Sequence, residues 1–380
     1  MRLFLLLLAS LAFAQENAPT IPSLLTEGTT AYMKSDYEAA RQAYLKAWEL
    51  AQQTPPTDPI RYDVLKRLVG IRAAAGEFAD ADNFLQMALN WKENQYGTND
   101  LRLVDDLIQS VNLCRGMKDF ERASLILTRV MGIHRSNGGT ENAVYADDLS
   151  RMGLINMEKK NLQSAIVWFN QAISLRTKVA GPLDVSLIND LDRVAGAHIV
   201  VREYGGAEEA YRHALIIRET LLGKFDADLI ATVDGLAYSL FGQKKFDEAE
   251  VLYKRLIGLW EKSVGDDHPM VALALDKVAT FYAEQKKFDQ VKEADERSLA
   301  IRAHFLAEGL GSAATEQIAE GNSEPAIAMY KRALMVMDPP SPVYDEMRKQ
   351  MEEIVKGMTA QQATKPLSKA PPRKTTTKKQ

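Results

Sequence analysis

The side chains best suited to catalysis or metal binding are too few and too scattered to form a site. Cys114 is the only cysteine, so no intramolecular disulfide exists, and its place in a predicted helix indicates a buried, inert thiol. No Gly-rich phosphate loop or Gly-x-Ser-x-Gly elbow is present. His268 falls in a predicted loop, and the other histidines show neither i, i+4 pairing nor acidic neighbours at metal-ligand spacing; these are His134, His198, His213 and His304. We predict a non-catalytic protein without metal or cofactor.

A set of mostly acidic and polar residues recurs at regular intervals along the chain. Carboxylates at such helix-surface spacing usually form a solvated face, and only the resemblance described below makes this set the candidate binding residues. The outermost set is Asp63, Asp105, Asp147 and Asn189. The next set is Asp192, Asp234 and Asp276, and further in stand Tyr238, Phe241 and Thr280.

A 42-residue repeat must position these residues. Its clearest copy runs from Asp228 to Pro269 and contains two predicted helices, a turn at Gly242 to Lys245, and a loop ending in His268-Pro269. The residue that opens each second helix, here called the anchor, is followed 3, 7 and 10 places later by small, bulky and small or apolar residues. The pattern fails after Phe288, where these places hold Val291, Asp295 and Ser298. The anchors are Tyr37, Phe78, Phe120, Leu162, Tyr204, Phe246, Phe288 and a weak last one, Ser323.

Two columns on the first helices support the same register. Thirteen residues before the anchors, every position is apolar: Leu24, Leu65, Leu107, Leu149, Leu191, Val233, Leu275 and Leu310. Nine residues before them, the position is usually Gly or Ala, which allows two helices to pack closely. Strand patterns are nearly absent. The predicted fold is all-α, a right-handed α-solenoid of stacked antiparallel helix pairs.

These residues resemble the tetratricopeptide repeat, and the longer period with Gly265-Asp266-Asp267-His268-Pro269 is similar to its kinesin-light-chain subtype. A 42-residue period also overlaps the HEAT and armadillo range, but the alternating small and aromatic columns favour the tetratricopeptide repeat. The resemblance implies that first helices line a concave groove for extended peptides or partner helices. It places the candidate residues named above in that groove.

One departure from the kinesin-light-chain pattern concerns ligand preference. Asn commonly follows the column leucine there, whereas Asp192, Asp234 and Asp276 occupy that place here. The acids indicate a groove that prefers a basic ligand. Two structural roles for acids at these places compete with that interpretation: the helix dipole favours acids near helix N-termini, and the pairs Asp63/Arg67 and Asp147/Arg151 have the spacing of local ion pairs.

The chain ends predict export and a basic tail. Residues 1–14 combine Arg2, an apolar run and Ala12-Phe13-Ala14, as in a cleaved signal peptide, and the run is too short to span a bilayer. No lipobox cysteine follows, so we expect a periplasmic or secreted protein. Residues 360–380 are predicted to be disordered. Without Arg2 and the six basic residues from Lys365 onward, the formal charge of −4 becomes −11, which disfavours nucleic acid as a partner.

Between these ends we predict a linker at 15–23, a solenoid of seven helix pairs at 24–305, a degenerate eighth pair at 306–338 interrupted at Gly309-Leu310-Gly311, and a capping helix at 343–359. The predicted function is a scaffold for protein or peptide partners, bound in a partly acidic groove. The alternatives are a purely structural or oligomerisation element of an envelope assembly and an accessory subunit of an enzyme complex. The tail could contact the envelope or dock in the protein's own groove.

Overall fold

The computed structural model describes residues 19–338 and 341–364, and this part of the chain is all-α with no strand. It divides into two compact units, with the boundary in the chain between Glu203 and Tyr204. The first unit contains nine α-helices: α1 (Ile21–Met33), α2 (Tyr37–Ala51), α3 (Pro59–Ala74), α4 (Phe78–Tyr96), α5 (Val104–Gly116), α6 (Phe120–Ser136), α7 (Ala143–Glu158), α8 (Leu162–Ala180) and α9 (Ile188–Val200).

The second unit contains seven α-helices, again packed in sequence order. They are α10 (Tyr204–Leu222), α11 (Ile230–Gly242), α12 (Phe246–Val264), α13 (Pro269–Glu284), α14 (Phe288–Ala319), α15 (Ser323–Val336) and α16 (Asp345–Thr364). Short 3-10 turns precede α5, α9 and α11. Because each helix packs mainly on its sequence neighbours, the core of each unit runs along the stack, as expected for a repeat protein.

The predicted register is confirmed, since every one of the eight anchors is the first residue of a helix. Within a pair, a small residue on the first helix receives a ring from the second. A Cβ on Gly153 would lie 2.7 Å from the Phe169 ring, and one on Gly28 would overlap the Tyr44 ring. The recurring small residues therefore set the distance between paired helices.

The turn inside each pair has a conformation that the sequence pattern did not reveal. The residue two places before each anchor has a positive φ, close to 60° at the non-glycine positions. Gly occupies this left-handed position only at Gly76 and Gly321. The others are Ser35, Lys118, Lys160, Arg202, Lys244 and Lys286, which adopt it at a steric cost.

Arginines on second helices tie consecutive repeats together. The Arg129 guanidinium lies 2.7 Å from Glu93 and donates to the Thr98 carbonyl at 2.8 Å. Arg255 repeats this arrangement, 2.6 Å from Glu219 and 2.7 Å from the Lys224 carbonyl. Each arginine thus binds both the preceding second helix and the loop that follows it.

The expected interruption at Gly309-Leu310-Gly311 is wrong. Both glycines lie inside α14, a continuous helix of 32 residues that joins the seventh second helix to the segment predicted as the eighth first helix. One position inside α14 departs from the other copies: Asp295, seven places after the anchor, is exposed, and the neighbouring Ala294 is buried instead. Ser298, ten places after the anchor, is buried as in the other copies. A helix tolerates isolated glycines at a modest cost, and this segment is packed against α15 and α16.

Candidate functional site

The candidate site is described for each unit separately, as the face formed by the first helices of that unit. In the first unit, its outermost column is mostly open: Asp63, Asp105 and Asn189 are exposed. Among the described residues, no side chain forms a hydrogen bond or an ion pair with any of these three. The predicted pair of Asp63 with Arg67 is therefore wrong, and both charges remain available to solvent.

Asp147, the fourth member of this column, is bound differently from the expectation. Its carboxylate accepts from Arg176 on α8 at 2.5 Å, whereas Arg151 lies 3.2 Å from Asp148. The predicted Asp147/Arg151 pair is wrong because the neighbouring helix supplies a better placed guanidinium, only 11% exposed. Asp192, in the next column, is half-buried and is likewise engaged by another group.

In the second unit, the acids of the first-helix face are neutralised by cations. The Asp234 carboxylate on α11 lies 2.5 Å from Lys277 on α13. Asp276 on α13 pairs with Arg302 on α14 and accepts from the Ser298 hydroxyl at 2.6 Å. These acids therefore present neutral acid–base pairs. The exposed carboxylates of this face without a cation are those of Asp63 and Asp105 in the first unit.

An aromatic patch adjoins these pairs. Tyr238 is 44% exposed, and its ring contacts the Tyr204 ring at 6.0 Å and the Phe241 ring at 6.5 Å between centroids. Phe241 is half-buried and packs edge-on against Phe281 at 5.7 Å, which connects the patch to the core. Thr280 is exposed and donates to the Asp276 carbonyl at 2.9 Å. Such rings offer a rigid apolar surface with a polar edge.

A buried column of acids lies one residue after the outermost column in three first helices. The sequence patterns did not predict it. Asp106, Asp148 and Asp190 are each 1% exposed. Asp106 accepts from Lys92 at 2.8 Å, Asp148 contacts His134 at 2.6 Å, and Asp190 accepts from Arg176 at 3.1 Å. These acids join consecutive repeats and are not available to a partner.

The signal that could have revealed them is a constant spacing, because each basic partner stands 14 residues before its acid. A fourth pair, Arg218 with Thr232, has the same spacing and a 2.6 Å contact. Burial alone would raise the pKa of Asp106, but hydrogen bonds from Lys66 and Lys92 outweigh it and lower the pKa. At Asp148, burial dominates and raises the pKa despite the His134 contact.

Cys114 and His268, which were considered as candidate catalytic or metal-binding residues, have structural roles. Cys114 is fully buried, as predicted, and burial raises the pKa of its thiol. His268 caps α13, accepting from the Met270 amide at 3.2 Å. Within residues 19–338 and 341–364, no three potential ligands are grouped to hold a metal ion, and no helix is both long and apolar enough to cross a bilayer.

Comparison with known proteins identifies the repeat. A sequence model described as tetratricopeptide repeat matches residues 228–304, and a second one matches residues 149–178. No curated protein matches the chain. Among solved structures, kinesin-light-chain TPR-like repeats from Podosopora anserina are 17% identical, with a TM-score of 0.46, covering 53% of this chain and 95% of theirs. A tetratricopeptide repeat protein from Parabacteroides merdae is 13% identical, with a TM-score of 0.42. The match covers 89% of this chain and 98% of that one.

A third structure supports the fold alone. It is a signal transduction ATPase with numerous domains and a tetratricopeptide repeat sensor from Pyrococcus horikoshii, 12% identical, with a TM-score of 0.51. The match covers 73% of this chain and 41% of that one. The two matching segments agree with the paired helices and with the anchors at the helix starts. The repeat that this chain carries is the tetratricopeptide repeat.

Proposed function

We propose that this chain is an exported, non-catalytic scaffold that binds protein or peptide partners on the face formed by its first helices. The observation that carries the proposal is the half-exposed Tyr238, held by Tyr204 and Phe241 on that face. An aromatic ring fixed by its neighbours loses little conformational entropy on binding, and tyrosine is enriched at binding hot spots.

The charge of the partner follows from the first unit. Asp63 and Asp105 are exposed carboxylates without cations, so they favour a partner segment that carries Lys or Arg. The chain's own basic tail, residues 365–380, has this charge and competes with such a partner in our proposal. The tail lies outside the described residues, as does the predicted signal peptide at 1–14, so both remain expectations from sequence.

Crosslinking before lysis, followed by affinity capture from the native envelope, tests this function. We compare the wild-type chain with Tyr238→Ala and with Asp63→Asn/Asp105→Asn. The matched control is Leu125→Ala, a 72% exposed apolar residue on the second helix α6. Partners lost in the face variants and kept in the control support the proposal. Identical partner sets in all four proteins would refute binding at this face.

Export has its own test. A periplasmic reporter fused after the full chain should be active, and the mature N-terminus should begin at Gln15. Deleting residues 2–14 should abolish reporter activity. Unprocessed protein that is retained in the cytoplasm contradicts the localisation without bearing on partner binding.

The second candidate function is a purely structural or oligomerisation element of an envelope assembly. The pairing of Asp234 with Lys277 and of Asp276 with Arg302 favours it, because a neutralised face needs no ligand. Sedimentation of the purified chain separates the two functions: a stable oligomer that buries Tyr238 and captures no partner supports the structural role. An accessory subunit would instead be captured with one enzyme.

A further inference from the structure

Two adjoining depressions in the second unit form a groove whose floor is α14. One, of about 510 Å³, lies between α13 and α14 and is lined by residues including Asp276 and Thr280. The other, of about 720 Å³, lies between α14 and the segment before α16, next to Val336 and Tyr344. Leu299 and Arg302 line both, so we treat them as one groove.

Equivalent surfaces elsewhere in the chain are covered by the first helix of the following pair. Eleven residues after their anchors, Leu89 and Met131 are only 3% and 6% exposed, and the other equivalent residues are half-buried: Trp48, Ile173, Leu215 and Ile257. Leu299 holds the same place after Phe288 and is 64% exposed. Leu306 on the same stripe is 51% exposed. The groove is therefore apolar surface that a following first helix would bury.

The covering helix is absent because α14 does not turn back. A turn after the seventh second helix would bring the next first helix beside α13. Instead α14 continues to Ala319 and packs its C-terminal half on α15 and α16 through Ala307 and Ala314. The position of an eighth first helix beside α13 is left open.

The polar contacts of the preceding pairs show what an occupant would have to supply. Arg176, 14 residues after its anchor, binds Asp147 of its own pair and also Asp190 of the next first helix. Arg302 has the same spacing and binds Asp276, but no carboxylate of a following helix lies within 4.0 Å among the described residues.

Asp234 stands 12 residues before its anchor and forms an ion pair with Lys277 of the next first helix. Asp276 is its counterpart one repeat later. By this precedent the occupant carries an acid for Arg302 and, three residues further on, a base for Asp276. Both α7 and α9 have this pattern, as Asp148/Arg151 and Asp190/Arg193.

We propose that this groove is a second docking site, which takes an amphipathic helix of a partner protein in the place of the absent first helix. The helix has an apolar stripe for Leu299 and Leu306 and an acid–base pair spaced i, i+3 for Arg302 and Asp276. A floor from Val291 to Leu306 spans about 22 Å at the usual rise of about 1.5 Å per residue, which matches the 13-residue first helices of this chain. The site adds to the proposed function and does not depend on Tyr238.

Two alternative occupants fit less well. The tail follows α16, whose 20 residues extend about 30 Å away from Tyr344. Returning that distance takes about nine extended residues, which leaves only residues 374–380, without a single apolar side chain. A second copy would present α1, where exposed Ser23 and Thr26 stand in place of the acid and base.

The test uses the full chain and a fluorescein-labelled synthetic peptide with the sequence of residues 184–203, which contains α9. Fluorescence anisotropy should show saturable binding that Leu299→Asp and Leu306→Asp each weaken by about tenfold or more. Both side chains are exposed, so these variants should keep the wild-type circular dichroism melting curve. Leu125→Asp, the matched control on α6, should bind normally.

A charge exchange makes the test specific. A peptide with Asp190→Arg and Arg193→Asp should bind wild type poorly and regain binding to Asp276→Arg/Arg302→Asp. Tyr238→Ala should leave peptide binding unchanged, so the two sites can fail separately. Equal binding to Leu299→Asp overturns the proposal. So does binding only after residues 365–380 are deleted, which assigns the groove to the tail, or self-association lost in Leu306→Asp, which assigns it to a second copy.

Discussion

Replacing Asp106 with Asn tests whether the buried acids hold consecutive repeats together. Asp106 accepts from the Tyr62 hydroxyl at 2.9 Å, from Lys66 at 2.6 Å and from Lys92 at 2.8 Å. Asn keeps the shape and one acceptor oxygen but removes the charge that balances two ammonium groups. Losing one partner of a buried ion pair costs about 3–5 kcal/mol. Lys66 and Lys92 remain 28% and 14% exposed, so we expect a loss of about 2–3 kcal/mol at pH 7.

The pH dependence of the effect has a definite sign. Because the folded-state pKa of Asp106 is lowered, its contribution to the free energy of unfolding is present above the unfolded value of about 3.9. It disappears as the pH falls through the folded pKa. The difference between wild type and Asp106→Asn should therefore be largest near neutral pH and shrink in acid.

Asp148→Asn is the matched control, with the same substitution in the same column. Burial raises the pKa of Asp148, so its ionised form is disfavoured in the folded state, and its contribution decreases as the pH rises. We expect a loss below about 1 kcal/mol at pH 7, since the amide removes that desolvation penalty.

Urea unfolding followed by Trp91 fluorescence provides the assay. The Trp91 ring lies 5.7 Å from Tyr62, which donates to Asp106, so it reports on this junction. The other three tryptophans are replaced by Phe, and hydrogen exchange of α3 to α5 detects local opening. Equal losses for the two Asn variants, or a constant difference from pH 7 to pH 3, would contradict the role assigned to the buried acids.

Three further predictions concern the fold. Gly153→Val should lower the free energy of unfolding by about 1–3 kcal/mol, because its Cβ would lie 2.7 Å from the Phe169 ring; urea unfolding measures the loss, and Phe169→Leu should relieve it. Lys244→Gly should raise the melting temperature, since glycine adopts φ of 61° without strain; a lower value would refute the steric cost assigned to this turn. Arg255→Met should cost about 1 kcal/mol through the lost contacts with Glu219 and the Lys224 carbonyl, measured as faster hydrogen exchange in the loop at Gly223.

The repeat register could be predicted from sequence because it depends on local patterns. An anchor begins a helix, a small residue admits a ring, and these relations lie within one pair, where spacing along the chain equals position on a helix. For the same reason Cys114 could be placed in the core. The only sequence signal for Asp106, Asp148 and Asp190 is a basic residue 14 places earlier, and their burial depends on which side chain turns toward the preceding helix.

The sequence by itself determined the all-α class, the 42-residue period and the residues that begin each second helix, because helix periodicity and side-chain size decide these. Only the tertiary structure decided which charged side chains are paired within the protein and which remain free. Arg176 rather than Arg151 binds Asp147, and Lys277 neutralises Asp234, since ion pairing depends on which neighbouring helix brings a cation within reach. The continuity of α14 also depends on tertiary packing. Gly309 and Gly311 permit a break in the helix, but packing on α15 and α16 prevents it.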